Sequence, residues 1–176
     1  MSKITINRAP VLSLWAFVVA RRLGHSKDTA LTLAKAIAGM SAYAKAKSLG
    51  LAEEREPGKK KEKPEHAPFI VFMGRRIPVA ASPSGPLALA RGKPIQPKSV
   101  ERYLAAKFGE HEAAAISAMS KLARSRTPAK LAVEAFHLYE AFRPSIPAGV
   151  TGWGKAGVLD LRKIENLATQ KKRAAT

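Results

Sequence analysis

Two overlapping glycine motifs are the part of the sequence with the clearest potential for chemistry. Residues 149–155 fit the pattern G-x-x-x-x-G-K, in which backbone amides cradle phosphates, and residues 152–157 fit G-x-G-x-x-G. Both motifs need a β-strand directly before them and a helix directly after them. The sequence instead predicts a helix before them, and Ala156 stands where a Ser or Thr hydroxyl would hold magnesium. We therefore interpret the stretch as a turn that either presents its amides and Lys155 to a nucleic-acid phosphate or only folds Trp153 into the core.

Other reactive side chains form no recognisable catalytic or metal-binding pattern. The chain has no cysteine, which excludes disulfides, thiol catalysis and cysteine–zinc sites. Its four histidines lack the spacing of metal ligands, and the carboxylates fall mostly at cap, linker or helix-surface positions. No predicted strand carries the aromatic platform of a single-strand RNA binder. The sequence predicts no catalytic residue, no metal and no cofactor, and we expect that the protein is not an enzyme.

The strongest signal is an excess of positive charge. Lysine and arginine number 31 against 13 aspartates and glutamates, which leaves a net charge of +18. Residues 1–50 hold eight basic residues and one acidic residue, and residues 67–96 hold four basic residues and no acid. Such an imbalance favours a polyanionic partner, and nucleic acid is the commonest one. We expect the cations to gather on one face.

A pair of helices at residues 11–49 must position many of these cations. Pro10 suits the first turn of a helix, with Asn7 upstream as its cap, and the apolar residues that follow cover most of the helix circumference. Gly24 is expected to end this helix and Ser26 to cap the next. The pair is therefore predicted to serve both as core and as binding element.

Residues 19–33 resemble the helix-turn-helix pattern of DNA-binding proteins. Ala20 is the small residue where two helices touch, Gly24 follows four residues later in the turn, and Leu33 is an apolar anchor on the second helix. The resemblance implies a groove-facing side that carries Ser26, Lys27, Thr29, Thr32 and Lys35. An ordinary antiparallel helical hairpin with a glycine turn remains the alternative.

The motif order along most of the chain is similar to that of small bacterial proteins without an assigned function. It runs from the helix start at residues 7–10 to the turn at residues 152–154 and the Leu-Asp-Leu sequence at residues 159–161. This similarity implies no activity.

The remaining sequence predicts a charged linker, a β-hairpin and a helical bundle. Residues 51–67 are polar and contain Pro and Gly, which is typical of a flexible linker. Residues 69–80 predict a hairpin with Arg75 and Arg76 at its tip, and Pro78 indicates an edge strand. Helices are predicted at residues 98–108, 110–125, 128–143 and 160–171.

The predicted fold is mainly α, with a helical hairpin, a small helical bundle and one β-hairpin insertion. Residues 68–176 are expected to pack with residues 1–50 as one domain. The apolar run at residues 9–20 is shorter than the roughly 20 residues that cross a bilayer, and it lacks a cleavage pattern. We therefore expect a cytoplasmic protein with no membrane contact.

The function predicted from these observations is duplex DNA binding, mainly through phosphates, by a nucleoid-associated or regulatory protein. The alternatives are an RNA- or ribosome-associated protein, an enzyme acting on nucleic acid, and a protein that binds an acidic protein partner. The predicted contact residues are Arg21, Arg22, Lys27, Thr29, Lys35, Arg75, Arg76, Lys155, Arg162, Lys163, Lys171, Lys172 and Arg173.

Overall fold

The computed structural model describes residues 3–48, 68–145 and 157–174, with side chains for residues 3–40, 68–145 and 157–169. The predicted linker at residues 51–67 lies outside the described residues. The described part is mainly helical, as the sequence predicts, and it also contains two small antiparallel sheets. Its elements are β1 (Lys3–Ile6), α1 (Arg8–Arg22), α2 (Lys27–Ser48), β2 (Phe69–Phe72), β3 (Arg75–Ala80), β4 (Leu87–Ala90), β5 (Lys93–Pro94), α3 (Pro97–Phe108), α4 (Glu112–Arg124), α5 (Pro128–Phe142), β6 (Gly157–Asp160) and α6 (Leu161–Ala174), and a short 3-10 turn at Gly109–His111 joins α3 to α4.

Helix α1 is the centre of the described fold. It packs against α2, α3, α4 and α5, and most of its side chains are buried. Trp15 is fully buried, its indole N–H donates to the backbone oxygen of Ala135 at 2.8 Å, and its ring meets Phe142 edge-on at a centroid distance of 5.3 Å. A buried indole N–H usually has such a partner, because leaving it without one costs free energy. The prediction that this helix forms core is confirmed.

Local signals set the helix ends where the sequence predicts them. Thr127 Oγ1 accepts from the Lys130 amide at 3.3 Å, and Pro128 follows in the first turn of α5. Asp160 Oδ1 accepts from the Arg162 amide at 3.0 Å and caps α6. Gly24 adopts a φ of +102°, so it supplies the turn between α1 and α2 that other residues rarely allow.

The predicted hairpin is present, but its turn and its surroundings differ from the prediction. Met73 and Gly74 both have positive φ and form the two-residue turn, and Phe72 pairs with Arg75. Arg75 and Arg76 therefore begin β3 instead of forming the turn. The hairpin belongs to a four-stranded sheet in the order β2-β3-β4-β5. The sequence predicted only its first two strands and missed β4 and β5.

The prediction that Pro78 marks an edge strand is wrong. Its strand, β3, lies between β2 and β4. The paired residues of β3 and β4 are only Val79 with Ala88 and Ala80 with Leu87, and Pro78 lies just outside them. The missing amide hydrogen of proline therefore costs no bond of this ladder.

A second sheet, which the sequence did not predict, joins β1 to β6. Lys3 pairs with Asp160 and Ile4 with Leu159 in antiparallel register, and the isoleucines of β1 point inward. Each strand has four residues, which is too short for its alternation to stand out in a sequence. Helix α6 follows β6 directly and packs on α4.

Candidate nucleic-acid interface

The face of α2 assigned to a DNA groove is covered by the four-stranded sheet and the loop before β4. Thr29 is only 1% exposed, and the hydroxyl oxygen of Thr32 accepts from the Ala88 amide at 3.0 Å. Ser26 Oγ donates to the backbone oxygen of Ser84 at 2.8 Å. The prediction that Thr29 contacts nucleic acid is therefore wrong, because its side chain is buried under the loop. Sequence could not show this, since the covering strand lies more than fifty residues away.

Lys27 and Lys35 lie on the other side of α2, facing α3. Lys27 Nζ is 2.6 Å from a carboxylate oxygen of Glu101, and this hydrogen bond raises the pKa of Lys27. Lys35 Nζ lies 5.5 Å from the ring centroid of Tyr103, and Lys107 Nζ lies 5.9 Å from the same centroid. Two lysines thus share one aromatic ring on this face, and Lys107 was not among the predicted contacts.

Arg21 and Arg22 meet a third arginine, Arg124, across a groove between α1 and α4. The groove encloses about 350 Å³. Its lining contains no acidic residue and consists of Phe17, Val18, Arg21, Arg22, Ile116, Ser120, Ala123 and Arg124. We call it the arginine groove. Arg124 was missed because its proximity to Arg21 and Arg22 results from the packing of α4 on α1, which no local pattern reports.

Backbone oxygens hold two of these guanidinium groups in place. Arg21 Nη1 donates to the oxygen of His25 at 3.0 Å, and Arg22 Nη2 donates to the oxygen of Arg126 at 3.1 Å. Arg22 Nε is buried and has no acceptor among the described residues. These bonds restrict both side chains. Each uses only one of the five N–H groups of its guanidinium, so further N–H groups remain that can donate to another acceptor.

The hairpin turn lies against the α1–α2 turn and is not a projecting arm. Phe72 is 2% exposed and Met73 is 8% exposed, so the turn is packed on the body. The His25 ring meets the Phe72 ring edge-on at 6.5 Å, and burial lowers the pKa of His25. Since Phe72 pairs with Arg75, these contacts connect the end of α1 to the start of β3.

Both hairpin arginines are exposed, and as successive residues of β3 they point to opposite faces of the β2–β3 ribbon. The guanidinium carbon of Arg76 lies 3.9 Å from the ring centroid of Phe69, which is itself 45% exposed. The pair forms a cation–π contact on the outer face of the β2–β3 ribbon. We call Arg21, Arg22, Arg75, Arg76 and Arg124 the turn cluster, since all five belong to the groove or the hairpin beside the α1–α2 turn.

Two predicted contacts of the C-terminal region, Arg162 and Lys163, line a second groove. Both are exposed in the first turn of α6, and the groove, of about 620 Å³, is also lined by Lys3, Arg143 and the acidic Asp160. Lys3 and Arg143 were missed because β1 and the end of α5 bring them here. Lys171, Lys172 and Arg173 belong to α6, but their side chains lie outside the described part. Lys155 and Trp153 lie in the range 146–156, also outside it.

The flanks of the glycine motifs differ from those of a phosphate-binding loop. Helix α5 precedes them and strand β6 begins at their last glycine, the reverse of the required strand and helix. A Cβ atom on Gly157 would lie 2.7 Å from the backbone oxygen of Ser145, so only glycine fits this close approach of two chain segments. Chain packing alone therefore explains why a glycine occupies the last position of the motif.

The described residues contain neither a metal-binding cluster nor a membrane-spanning helix. No group of three or more His, Asp or Glu side chains there could hold a metal ion. Within the same ranges, no helix is both long enough and apolar enough to cross a membrane.

Comparisons with known proteins supply no relative. No family model, no curated protein and no solved structure matches this chain. Its function must therefore be inferred from its residues and their geometry.

Proposed function

We propose that this protein binds duplex DNA through phosphate contacts, as a nucleoid-associated or regulatory protein of the cytoplasm, and that it is not an enzyme. The observation that supports the proposal is the turn cluster. Three of its arginines line the arginine groove and two begin the strand after the hairpin turn that packs on the α1–α2 turn, and none forms an ion pair with an acidic residue in the described part. Positive charge that has no acidic partner in the described part attracts a polyanion.

Arginine binds phosphate, as it binds carboxylate, through paired hydrogen bonds. Its planar guanidinium presents N–H groups in a fixed fork that matches two phosphate oxygens. Duplex DNA carries one negative charge for about every 1.7 Å of its axis, so several arginines on one surface can each meet a phosphate. Thr29 has no place in the proposed interface, since it is buried, and the ion pair with Glu101 weakens the case for Lys27.

A second candidate is RNA with unpaired bases. Phe69 is exposed on the outer face of β2 with Arg76 stacked on it, and an accessible aromatic ring beside a cation is a surface on which a base can stack. Tyr103, the other ring beside a cation in the described part, belongs to α3 and not to this strand, so β2 and β3 do not form the row of stacking rings that single-strand binders usually present. Duplex DNA therefore remains the first proposal.

The salt dependence of binding tests the proposal directly. Five phosphate contacts correspond to a slope of about −4.5 in log affinity against log salt, or a roughly 500-fold loss between about 50 and 200 mM. Fluorescence anisotropy of a labelled duplex at several salt concentrations measures this slope. Failure to bind at about 50 mM salt, or binding that salt does not weaken, would contradict the proposal.

Competition separates the two candidates. Unlabelled duplex DNA, duplex RNA and single-stranded RNA of equal length are added to the labelled complex. If duplex DNA competes best, the first proposal stands, whereas a strong preference for single-stranded RNA would favour the second. The variant Phe69→Ala should then weaken RNA binding and leave duplex binding nearly unchanged.

A further inference from the structure

We infer that the arginine groove is a discrete site for one nucleotide unit, with its phosphoryl group held by Arg21, Arg22 and Arg124 and its sugar or base against the apolar wall. The inference rests on the proposed function for one source of that unit, a nucleic-acid strand. A free nucleotide has the same chemistry and is the other source.

The donors of the groove are suited to a phosphoryl group. Arg21 and Arg22 each use one Nη atom to bind a backbone oxygen, at 3.0 Å and 3.1 Å, which fixes the guanidinium groups and leaves other N–H groups to bind a ligand. The buried Nε of Arg22 has no acceptor in the described ranges. A buried donor without an acceptor is costly, so Arg22, which lines the groove, retains an unsatisfied N–H group.

Helix stabilisation explains only part of this arrangement. Arg21 and Arg22 lie in the last turn of α1, and Arg124 lies in the last turn of α4, where cations interact favourably with the helix dipole. The helix dipole acts on each helix separately, so it does not require the arginines of α1 to lie near the arginine of α4. It does not explain why three like charges converge on one groove whose lining contains no acidic residue.

The size and the apolar wall of the groove indicate a ligand larger than phosphate. Phe17 and Ile116 are half-buried and line the groove beside the guanidinium groups. Its volume of about 350 Å³ falls in the range of small-molecule sites, which starts at roughly 300 Å³. A nucleotide unit places a sugar and a flat base next to its phosphate, so it can occupy both parts of the groove.

Calorimetric titration of the full chain with inorganic phosphate and with adenosine 5′-monophosphate tests the site. We expect the nucleotide to bind more tightly than phosphate and Arg124→Ala to weaken its binding about tenfold, the effect of one lost charge-assisted hydrogen bond. Lys121→Ala is the matched control, because Lys121 is exposed on the same helix and does not line the groove. Arg21→Ala is the second variant, because Arg22 also binds Arg126 and its replacement could disturb the fold.

Nuclear magnetic resonance adds a readout that does not depend on affinity alone. Addition of the nucleotide should shift the Nε–H signal of Arg22 in the wild-type protein. Nucleotide binding that both groove variants leave unchanged, or an Arg22 signal that does not move, would overturn the inference. Equal losses in Arg124→Ala and Lys121→Ala would do the same, because they would indicate general charge attraction.

The duplex titration identifies the source of the nucleotide unit. If Arg124→Ala weakens both nucleotide and duplex binding, the site holds a unit of the nucleic-acid strand. If it weakens only nucleotide binding, the site holds a free nucleotide. If the wild-type protein binds the nucleotide in an Arg124-dependent manner but shows no salt-dependent duplex binding, the proposed function fails and the site remains.

Discussion

The variant Thr32→Val tests whether α2 is covered by the sheet or free to read DNA. Thr32 is 0% exposed, and its hydroxyl accepts from the Ala88 amide at 3.0 Å while it donates to the Thr29 oxygen at 2.9 Å. Valine has nearly the same shape but no oxygen. The substitution therefore leaves the buried Ala88 amide without its acceptor, which should cost about 1–3 kcal/mol of unfolding free energy. For a chain of this length, each kcal/mol corresponds to about 2–4 °C in Tm.

Urea denaturation gives the free energy, and hydrogen exchange gives the protection of the Ala88 amide. Thr32→Ser is the matched control, because it removes the methyl group and keeps the oxygen that accepts from Ala88. We expect Ala88 protection to fall in the valine variant and to persist in the serine variant. Wild-type stability and wild-type Ala88 protection in Thr32→Val, together with an altered DNA sequence preference, would refute the packing that we describe and restore the helix-turn-helix interpretation.

Three further predictions concern the hairpin, the core and the α1–α2 turn. Replacing Arg75 and Arg76 with Ala should weaken binding to all duplex sequences alike and reduce the magnitude of the salt slope by about 2, since each phosphate contact contributes about 0.9. Trp15→Phe should lower the unfolding free energy by about 1–3 kcal/mol in urea denaturation, because it removes a buried donor from the Ala135 oxygen. Burial lowers the pKa of His25 below 6.5, so the unfolded chain binds a proton more readily as pH falls below that value. Stability should therefore decrease from pH 6.5 downwards, and less so in His25→Asn, as measured by urea denaturation at several pH values.

The first two of these experiments have controls at exposed positions. Lys130 is exposed and lies outside the turn cluster, so Lys130→Ala should leave the salt slope nearly unchanged. If Lys130→Ala changes the slope as much as replacing Arg75 and Arg76 does, the hairpin is not part of the interface. Val133→Ala alters a side chain that is 85% exposed and should leave stability close to wild type. A wild-type pH dependence in His25→Asn would contradict the role of burial.

Helix boundaries were predictable because short-range chemistry determines them. Thr127 and Pro128 start α5 by a cap and a fixed φ, and Gly24 supplies a backbone conformation that few residues tolerate. These effects involve neighbours within a few residues. The ends of α1, α3 and α5 accordingly lie close to their predicted positions.

Side-chain environments were not predictable, since they depend on distant segments. Thr29 is polar and follows a turn, which suggested a surface position, but the loop before β4 covers it. Arg124 joins Arg21 and Arg22 only because α4 packs on α1. A pattern of neighbouring residues contains no information on such contacts, so the groove became visible only in the structure.

The pairing of β1 with β6 has a consequence for the order of folding. Its partners, such as Ile4 and Leu159, are separated by most of the polypeptide, so their meeting closes the largest loop in the described fold. During synthesis, the ribosome releases Ile4 long before Leu159 exists. Strand β1 therefore has no strand partner until β6 has been synthesised, and the two-stranded sheet is expected to form late in folding.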